Sequence, residues 1–214
     1  MTPCARGDQP ELLARYGAAI ADEYVQRRRK RPSAEFRWPQ RENQSLLEVI
    51  RTALVAMTAN HCSYCDGHPL GATDVPAVDH FRPKGREEFY GLVCTWTNLF
   101  LSCSACNKAK REQWDDALLR PDAPDYRFER YFEFRFETGE LQPAPAASAE
   151  EQQRARCTIE LLDLNRADAC QVRKRAYRDI RRAASTSEAL DYGYRFLIPL
   201  CLEPTSDGTP APAR

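Results

Sequence analysis

The spacing of apolar residues predicts a long helix at the start of the chain. The apolar positions recur every four residues, at Leu12, Tyr16, Ile20 and Tyr24. This stripe is typical of an amphipathic helix that buries one face. We expect the helix to run into the basic segment 27–31 and to stop at Pro32, because proline cannot continue a helical hydrogen-bond ladder.

A second helix is predicted from a capping signal. Ser45 is followed three residues later by Glu48, the spacing of a capping box at a helix N-terminus. One face of the following segment is apolar and consists of Leu46, Ile50, Leu54 and Met57. This helix leads the chain to Cys62.

The central part of the chain, from 61 to 114, has the pattern of short elements. We predict a brief strand at 77–80, a second strand at 99–102 and a helix that opens near Ser104, since short apolar runs here are bounded by turn-forming residues.

The C-terminal part begins with alternation and continues with helical spacing. Phe132, Phe134 and Phe136 alternate with charged residues before a Thr-Gly-Glu turn, which predicts a strand entering a hairpin. After this hairpin we expect a linker at 142–148 and a long helical region at 149–184. A short helix at 187–197 and a disordered Pro-rich tail at 201–214 follow.

These patterns predict an α+β, mainly helical protein with four regions. The expected regions are an N-terminal helical region (1–58), a central core (59–120), a β-hairpin with C-terminal helices (121–200) and the tail (201–214).

Composition narrows the class of protein. Hydrophobic residues make up 43% of the chain, and 31 basic residues balance 31 acidic ones, so bulk positive charge for coating nucleic acid is absent. The start of the chain carries no secretory signal, and the longest apolar run, at 196–202, is far shorter than a membrane span. We therefore expect a cytoplasmic protein that does not enter a membrane.

Two cysteine pairs predict a structural zinc site. Cys62 pairs with Cys65 and Cys103 with Cys106, each with a two-residue gap, which suits tetrahedral zinc. In a reducing cytosol such pairs indicate metal ligands before disulfides. The rival interpretation is buried apolar cysteine, which we assign to Cys4, Cys94, Cys157, Cys170 and Cys201. His61 and His68 flank the first pair and are alternative ligands.

Polar residues with the potential for catalysis lie between and behind these pairs. Asp79 and His80 are adjacent at the end of the predicted strand, Asn98 precedes the second strand, and Asn107 directly follows Cys106. Together with both cysteine pairs, this arrangement resembles the HNH endonuclease family. Stretches such as "VDHFRPK" and "WTNLFLSCSACNKAK" are similar to the HNH proteins of Septu-type and retron-associated anti-phage systems.

The resemblance implies a zinc-stapled ββα-metal module, HNH or treble-clef-like, flanked by helices, and a phosphodiester hydrolase activity. A histidine that is neutral at cellular pH suits proton abstraction from water, so His80 is the candidate general base. Asp79 and Asn107 offer hard oxygen ligands for a catalytic Mg²⁺ or Mn²⁺. By resemblance, Asn98 fixes the loop next to His80. Taken singly, each of these residues also has a structural interpretation, as a surface pair or a turn or helix cap.

Strand geometry raises a difficulty for this site. Successive side chains of a strand point to opposite faces, which would separate Asp79 from His80. We therefore expect the strand to end or bend there, next to Pro83.

Basic residues near the motif are candidates for binding the substrate. These are Arg82, Lys84, Lys108 and Lys110. Acidic residues are interleaved with them, so a solvated surface is the alternative. The segments 27–31 and 173–182 are further candidates for the nucleic-acid backbone or an acidic partner.

The leading hypothesis is a metal-dependent DNA endonuclease of an anti-phage defence system, and the resemblance suggests an ABC or SMC-like ATPase as its partner. One alternative is a zinc-stapled module that binds nucleic acid or protein without catalysis. Another is a stand-alone HNH nuclease of restriction or homing type.

Overall fold

The computed structural model describes residues 1–71, 76–183, 186–190 and 192–202. Two units are distinguished by their internal contacts. The first, called the N-terminal unit, contains Cys4–Ser63 and Leu70–Asp116. The second, called the C-terminal unit, contains Met1–Pro3, Tyr64–Pro69 and Ala117–Arg214. None of the helices in the described ranges has the length and apolarity needed to cross a bilayer.

The two helices predicted near the start of the chain are confirmed. Helix α1 spans Glu11–Lys30 and ends before Pro32, with four basic residues in its last turn that complement the helix dipole. A small hairpin of β1 (Gln40–Arg41) and β2 (Gln44–Ser45) leads into helix α2 (Leu46–Thr58). Ser45 caps α2 by accepting a hydrogen bond from the Glu48 backbone N–H.

The central strands and helix form where the sequence predicts them. Strand β3 (Ala77–His80) pairs antiparallel with β4 (Leu99–Ser102), and helix α3 (Ser104–Lys110) follows. Two 3₁₀ helices, Glu87–Leu92 and Trp96–Asn98, form the connection between the strands.

The core of the N-terminal unit lies between α1, α2 and one face of the β3–β4 hairpin. Its buried side chains come from all of these elements. Leu99 and Leu101 of β4 are fully buried against it, and Val78 of β3 packs at its edge. Trp96 is buried, and its indole N–H donates to the Gly7 carbonyl.

The C-terminal unit combines a hairpin with helices. Its elements are α4 (Phe128–Tyr131), β5 (Phe132–Arg135), β6 (Glu140–Pro143), α5 (Ala149–Leu161), α6 (Ala167–Ile180), α7 (Thr186–Ala189) and α8 (Ile198–Leu202). Strands β5 and β6 are antiparallel. The predicted hairpin is therefore confirmed, although Phe136 lies beyond β5 and is 53% exposed.

Several C-terminal boundaries were predicted wrongly. The linker expected at 142–148 begins inside β6, and the helical region expected at 149–184 is broken between α5 and α6, where Asp163 has φ +45°. The single helix expected at 187–197 is divided into α7 and a 3₁₀ turn at Arg195–Leu197, with α8 following. The tail from 203 onward lies outside the described residues. The regional boundaries at 58, 120 and 200 remain a prediction.

One residue of the basic segment 173–182 is part of the core instead of the surface. Arg173 is 0% exposed. Its guanidinium donates to the Gly139 carbonyl at 2.7 Å, the Leu164 carbonyl at 2.7 Å and Asn165 Oδ1 at 3.1 Å. Because all these acceptors belong to the protein, Arg173 is not available to a nucleic-acid backbone.

Candidate metal centre and active site

The four cysteines of the two pairs are brought together. The sulfurs of Cys62, Cys65, Cys103 and Cys106 all lie within 4.8 Å of one another. Tetrahedral zinc with Zn–S bonds of about 2.3 Å places its sulfurs about 3.8 Å apart, so a small contraction would complete the site. The donor set therefore fits a structural zinc ion.

Backbone groups place three of these cysteines. The Ser63 N–H donates to the Leu101 carbonyl at 2.8 Å, which ties the first cysteine pair to β4. The Cys103 N–H lies 3.4 Å from Cys62 Sγ, and Cys103 Sγ in turn accepts from the Cys106 N–H at 3.4 Å as the cap of α3. Donors of this kind favour the thiolate form that binds a metal.

The flanking histidines do not belong to the cluster. In the described part of the chain, the group that can hold a metal consists of the four cysteines. The His61 ring hydrogen-bonds to the Ala59 carbonyl at 2.8 Å. Cys94, one of the cysteines expected to be apolar, is buried, and this burial raises the pKa of its thiol to about 12.

Asp79 is paired with a lysine. The residue is 6% exposed, and Asp79 Oδ2 lies 3.0 Å from Lys110 Nζ. Lys110 is 0% exposed and also donates to the His80 carbonyl at 2.6 Å. Both of these hydrogen bonds lie inside the protein, so Lys110 does not face solvent in this conformation. That Lys110 contacts the substrate stays a prediction.

Asn107 lies on the same helix as Lys110. It is half-buried and precedes Lys110 by three residues on α3, so the two side chains share a helix face.

His80 is enclosed by aromatic rings. It is 4% exposed, and its ring is stacked on Trp38 with centroids 5.9 Å apart and meets Phe36 edge-on at 5.9 Å. Its Nε2 lies 2.9 Å from the Val93 carbonyl. Because a carbonyl oxygen only accepts, Nε2 carries the proton and Nδ1 carries the lone pair.

The environment of His80 favours its neutral form. Burial, assisted by the charges of Lys84 and Lys110, lowers the pKa of His80 to about 3, against the opposing effect of the Val93 hydrogen bond. The imidazole is therefore uncharged at cellular pH.

Strand β3 ends at His80, as predicted, but alternation still separates the two side chains. Asp79 is opposite Phe100 in the ladder and His80 is opposite Leu99. The Asp79 side chain contacts α3 through Lys110, and the His80 ring contacts Trp38. Lys110 links the two positions, since it binds the Asp79 carboxylate and the His80 carbonyl.

Asn98 connects the loop after β3 to the loop before β4. Its Oδ1 accepts from the Arg82 N–H at 2.8 Å, and its Nδ2 donates to the Arg82 carbonyl at 3.1 Å and the Leu92 carbonyl at 3.2 Å. Asn98 is 4% exposed. It thus holds the backbone two residues after His80.

The other candidate substrate residues lie nearer the surface. Arg82 is exposed, and its guanidinium lies 5.6 Å from the Phe89 ring centroid and 5.5 Å from that of Trp114. Lys108 is exposed and Lys84 is half-buried. Trp114 also packs edge-on against Phe81, with ring centroids 5.1 Å apart.

Sequence reasoning missed the pairing of Lys110 and the enclosure of His80. The sequence does contain one signal that Lys110 is buried and paired. Lys110 follows Cys106 by four residues, so it lies on the same helix face as this candidate zinc ligand. The contacts of Trp38 and Val93 with His80 join distant parts of the chain, and no local pattern indicates them.

A β-hairpin followed by a short helix, with four cysteines gathered at its ends, defines this chain as an α+β protein with a site that could hold zinc. No protein-family model matches it. The chain is 32% identical over 74 residues to a Septu protein PtuB of Bacillus thuringiensis, covering 34% of this chain and 28% of that protein. It is 27% identical over 78 residues to a Septu protein PtuB of Bacillus mycoides strain KBAB4, covering 31% and 26%.

The matched segment thus spans about a quarter of the length of these relatives. Over this segment, the similarity to a Septu-type protein expected from the sequence is confirmed.

Proposed function

We propose that the protein is a metal-dependent HNH endonuclease that cleaves DNA in a Septu-type anti-phage system. The observation that carries this proposal is that Asp79, His80, Asn98 and Asn107 all lie on or beside the β3–β4 hairpin and helix α3, next to the four-cysteine cluster. Because the Asp79 and His80 side chains project to opposite faces of β3, the proposal requires the end of β3 to rearrange before both act on one phosphate. The similarity to Septu proteins PtuB supports the defence role.

In this proposal His80 is the general base that activates water. The hydrogen bond from Nε2 to the Val93 carbonyl leaves the Nδ1 lone pair to accept a proton. Burial lowers the pKa of His80 to about 3 and makes the enclosed ring a weak base, so this role requires that water hydrate the ring and raise its pKa. Because only 4% of the residue is exposed, water reaches the ring when the half-buried Trp38 side chain that stacks on it moves aside.

Asp79 and Asn107 would hold the catalytic divalent ion. A carboxylate and an amide oxygen are the hard donors that Mg²⁺ and Mn²⁺ prefer, so the donor chemistry fits. When bound, the ion would neutralise charge at the scissile phosphate. Asn98 is assigned a positioning role, since it fixes the backbone of Arg82.

Contacts to DNA are assigned to the accessible cations near the motif. Arg82 and Lys108 are exposed, and Lys84 is half-buried beside His80. Phosphate contacts of this kind give affinity without sequence specificity. We assign activation to an ABC or SMC-like ATPase partner, as the resemblance to Septu-type systems suggests.

Nicking of a supercoiled plasmid in Mn²⁺ tests the proposal. We expect the parent chain to convert supercoiled plasmid to the relaxed form, and EDTA to abolish this nicking. If the chain alone has no activity, the assay is repeated with its ATPase partner. His80→Ala loses the activity, whereas the matched variant His61→Ala, which removes another buried histidine, retains it. Equal nicking by the parent and His80→Ala would exclude His80 as the base.

The second candidate is a zinc-stapled module that binds DNA or protein without catalysis. The burial of His80 and the occupation of Asp79 by Lys110 favour it. A band-shift measurement separates the two functions. Retained DNA binding without nicking, in both the presence and the absence of the partner, would establish the binding module.

A further inference from the structure

The Asp79 carboxylate already has a cation bound to it. Lys110 Nζ lies 3.0 Å from Asp79 Oδ2 and 2.6 Å from the His80 carbonyl oxygen. Lys110 is 0% exposed, and a fully buried lysine is rare unless it is paired. The ammonium is thus a monovalent positive charge held between a carboxylate and a carbonyl oxygen, both of which are ligand types that divalent ions use.

A divalent ion and this ammonium exclude each other. Mg²⁺ binds carboxylate oxygens at about 2.0–2.1 Å and demands octahedral surroundings. An ammonium beside the same carboxylate would lie within a few ångströms of the ion, where like charges in a poorly solvated site repel strongly. Occupation by Lys110 and occupation by a divalent ion are therefore alternatives.

The position of Lys110 at the end of α3 allows its ammonium to leave Asp79. Lys110 is the last residue of the seven-residue helix α3, and Arg111 ends the helix with φ +45°. Helix ends fray at lower free energy than helix interiors. The ammonium can therefore leave Asp79 by local opening of the last turn, while Cys103 and Cys106 keep the start of α3 at the cysteine cluster.

We propose that Lys110 is the resident counter-cation of Asp79 and that a divalent ion binds there only when the Lys110 ammonium withdraws. This inference rests on the proposed function and adds a means of regulation to it. The chain in the present conformation has a low affinity for Mg²⁺. Binding of substrate or of a partner that displaces Lys110 from Asp79 allows the divalent ion to bind.

Mn²⁺ binding to the zinc-loaded full chain, followed by electron paramagnetic resonance, tests this inference. Lys110→Met removes the ammonium and keeps an unbranched side chain, and Lys108→Met is the control on the exposed side of α3. We expect Lys110→Met to bind Mn²⁺ at least tenfold more tightly than the parent. Lys108→Met serves as a control for ion affinity alone, measured without DNA because Lys108 is assigned to DNA contact, and we expect its Mn²⁺ affinity to match that of the parent. Adding Asp79→Asn to Lys110→Met abolishes the gain.

A measurement on the parent chain covers the case in which Lys110→Met does not fold. Acetylation of individual lysines is followed by mass spectrometry as Mn²⁺ is added. Lys110 becomes more reactive as the ion binds, while Lys108 does not change. Binding of Mn²⁺ with no change at Lys110, or equal Mn²⁺ affinity in folded Lys110→Met and the parent, overturns the inference.

Plasmid nicking by the parent and Lys110→Met distinguishes the proposed nuclease function from the proposed counter-cation role of Lys110. Nicking by the parent with unchanged Lys110 reactivity refutes the counter-cation and leaves the nuclease standing. Tighter Mn²⁺ binding by Lys110→Met with no nicking in any variant or with the partner supports the counter-cation and refutes the nuclease.

Discussion

Asn98 satisfies both backbone polar groups of Arg82 with a single side chain. Its Oδ1 accepts from the Arg82 N–H, and its Nδ2 donates to the Arg82 carbonyl. This pair of hydrogen bonds acts like an extra rung of the β3–β4 ladder, directly beyond the point where Phe81 N–H donates to the Asn98 carbonyl. Asn98 therefore fixes the course of the chain after His80.

Replacing Asn98 tests this role. Asn98→Ala removes three hydrogen bonds from a residue that is 4% exposed. We expect it to lower the free energy of unfolding by about 2–4 kcal/mol, since each buried group left unpaired costs about 1–3 kcal/mol. Urea denaturation measures this. The half-buried Asn107 is the control, and a loss for Asn107→Ala as large as that for Asn98→Ala would contradict the account.

The cysteine cluster predicts that zinc and folding are coupled. Cys103→Ser removes one thiolate of the four, while the serine hydroxyl can still accept a hydrogen bond from the Cys106 N–H as the cap of α3. We expect elemental analysis to find one zinc ion per chain in the parent and none in this variant, and we expect the variant to lose its cooperative thermal transition as well. Cys201→Ser is the matched control, because Cys201 lies outside the cluster, and a parent chain that purifies folded but free of zinc would contradict the assignment.

The local elements of the N-terminal unit could be predicted because local chemistry determines them. The bounds of β3 and β4 follow from short apolar runs, and the start of α2 follows from Ser45 and Glu48. The meeting of the cysteine pairs was predictable from their spacing, since zinc requires it. These features need no knowledge of distant contacts.

The contents of the candidate site could not be predicted in the same way. Whether Lys110 meets a phosphate or Asp79 depends on how α3 lies across the hairpin. The enclosure of His80 depends on Trp38, which is 42 positions away in the sequence. Spacing alone distinguishes neither case, because a solvated lysine and a buried, paired one have the same local pattern.

Arg173 gives a prediction for the C-terminal unit. Its planar guanidinium reaches Gly139, Leu164 and Asn165 at once, and a lysine ammonium cannot reproduce that fork. Since buried polar acceptors are left unpaired, we expect Arg173→Lys to lower the unfolding free energy by about 2–4 kcal/mol. The same change at the exposed Arg175 shifts it by less than about 0.5 kcal/mol. Similar denaturation midpoints for the two variants would refute this.

Glu151 gives a prediction about pH. The hydrogen bond from Arg130, with further bonds from Ser148, lowers the pKa of Glu151 from 4.5 to about 2. A lowered carboxyl pKa stabilises the fold at pH values above 4.5, and the gain is lost as the pH falls from 4.5 towards 2. The difference in Tm between the parent and Glu151→Gln is therefore expected to shrink over that interval. The neighbouring Glu150→Gln is the control, and a difference that stays constant with pH would count against this role.

The most direct test of the account is a double-mutant cycle on the single-turnover cleavage rate of a labelled DNA duplex in Mn²⁺, with the partner present where it is needed. Asp79→Asn and Asn107→Ala are measured singly and together. If both residues hold one ion, each single change slows cleavage by about 100-fold or more, and the double variant is little slower than the worse single one, because residues that act as a unit are not additive. Fully additive losses, or cleavage unchanged by either substitution, would contradict a shared metal site.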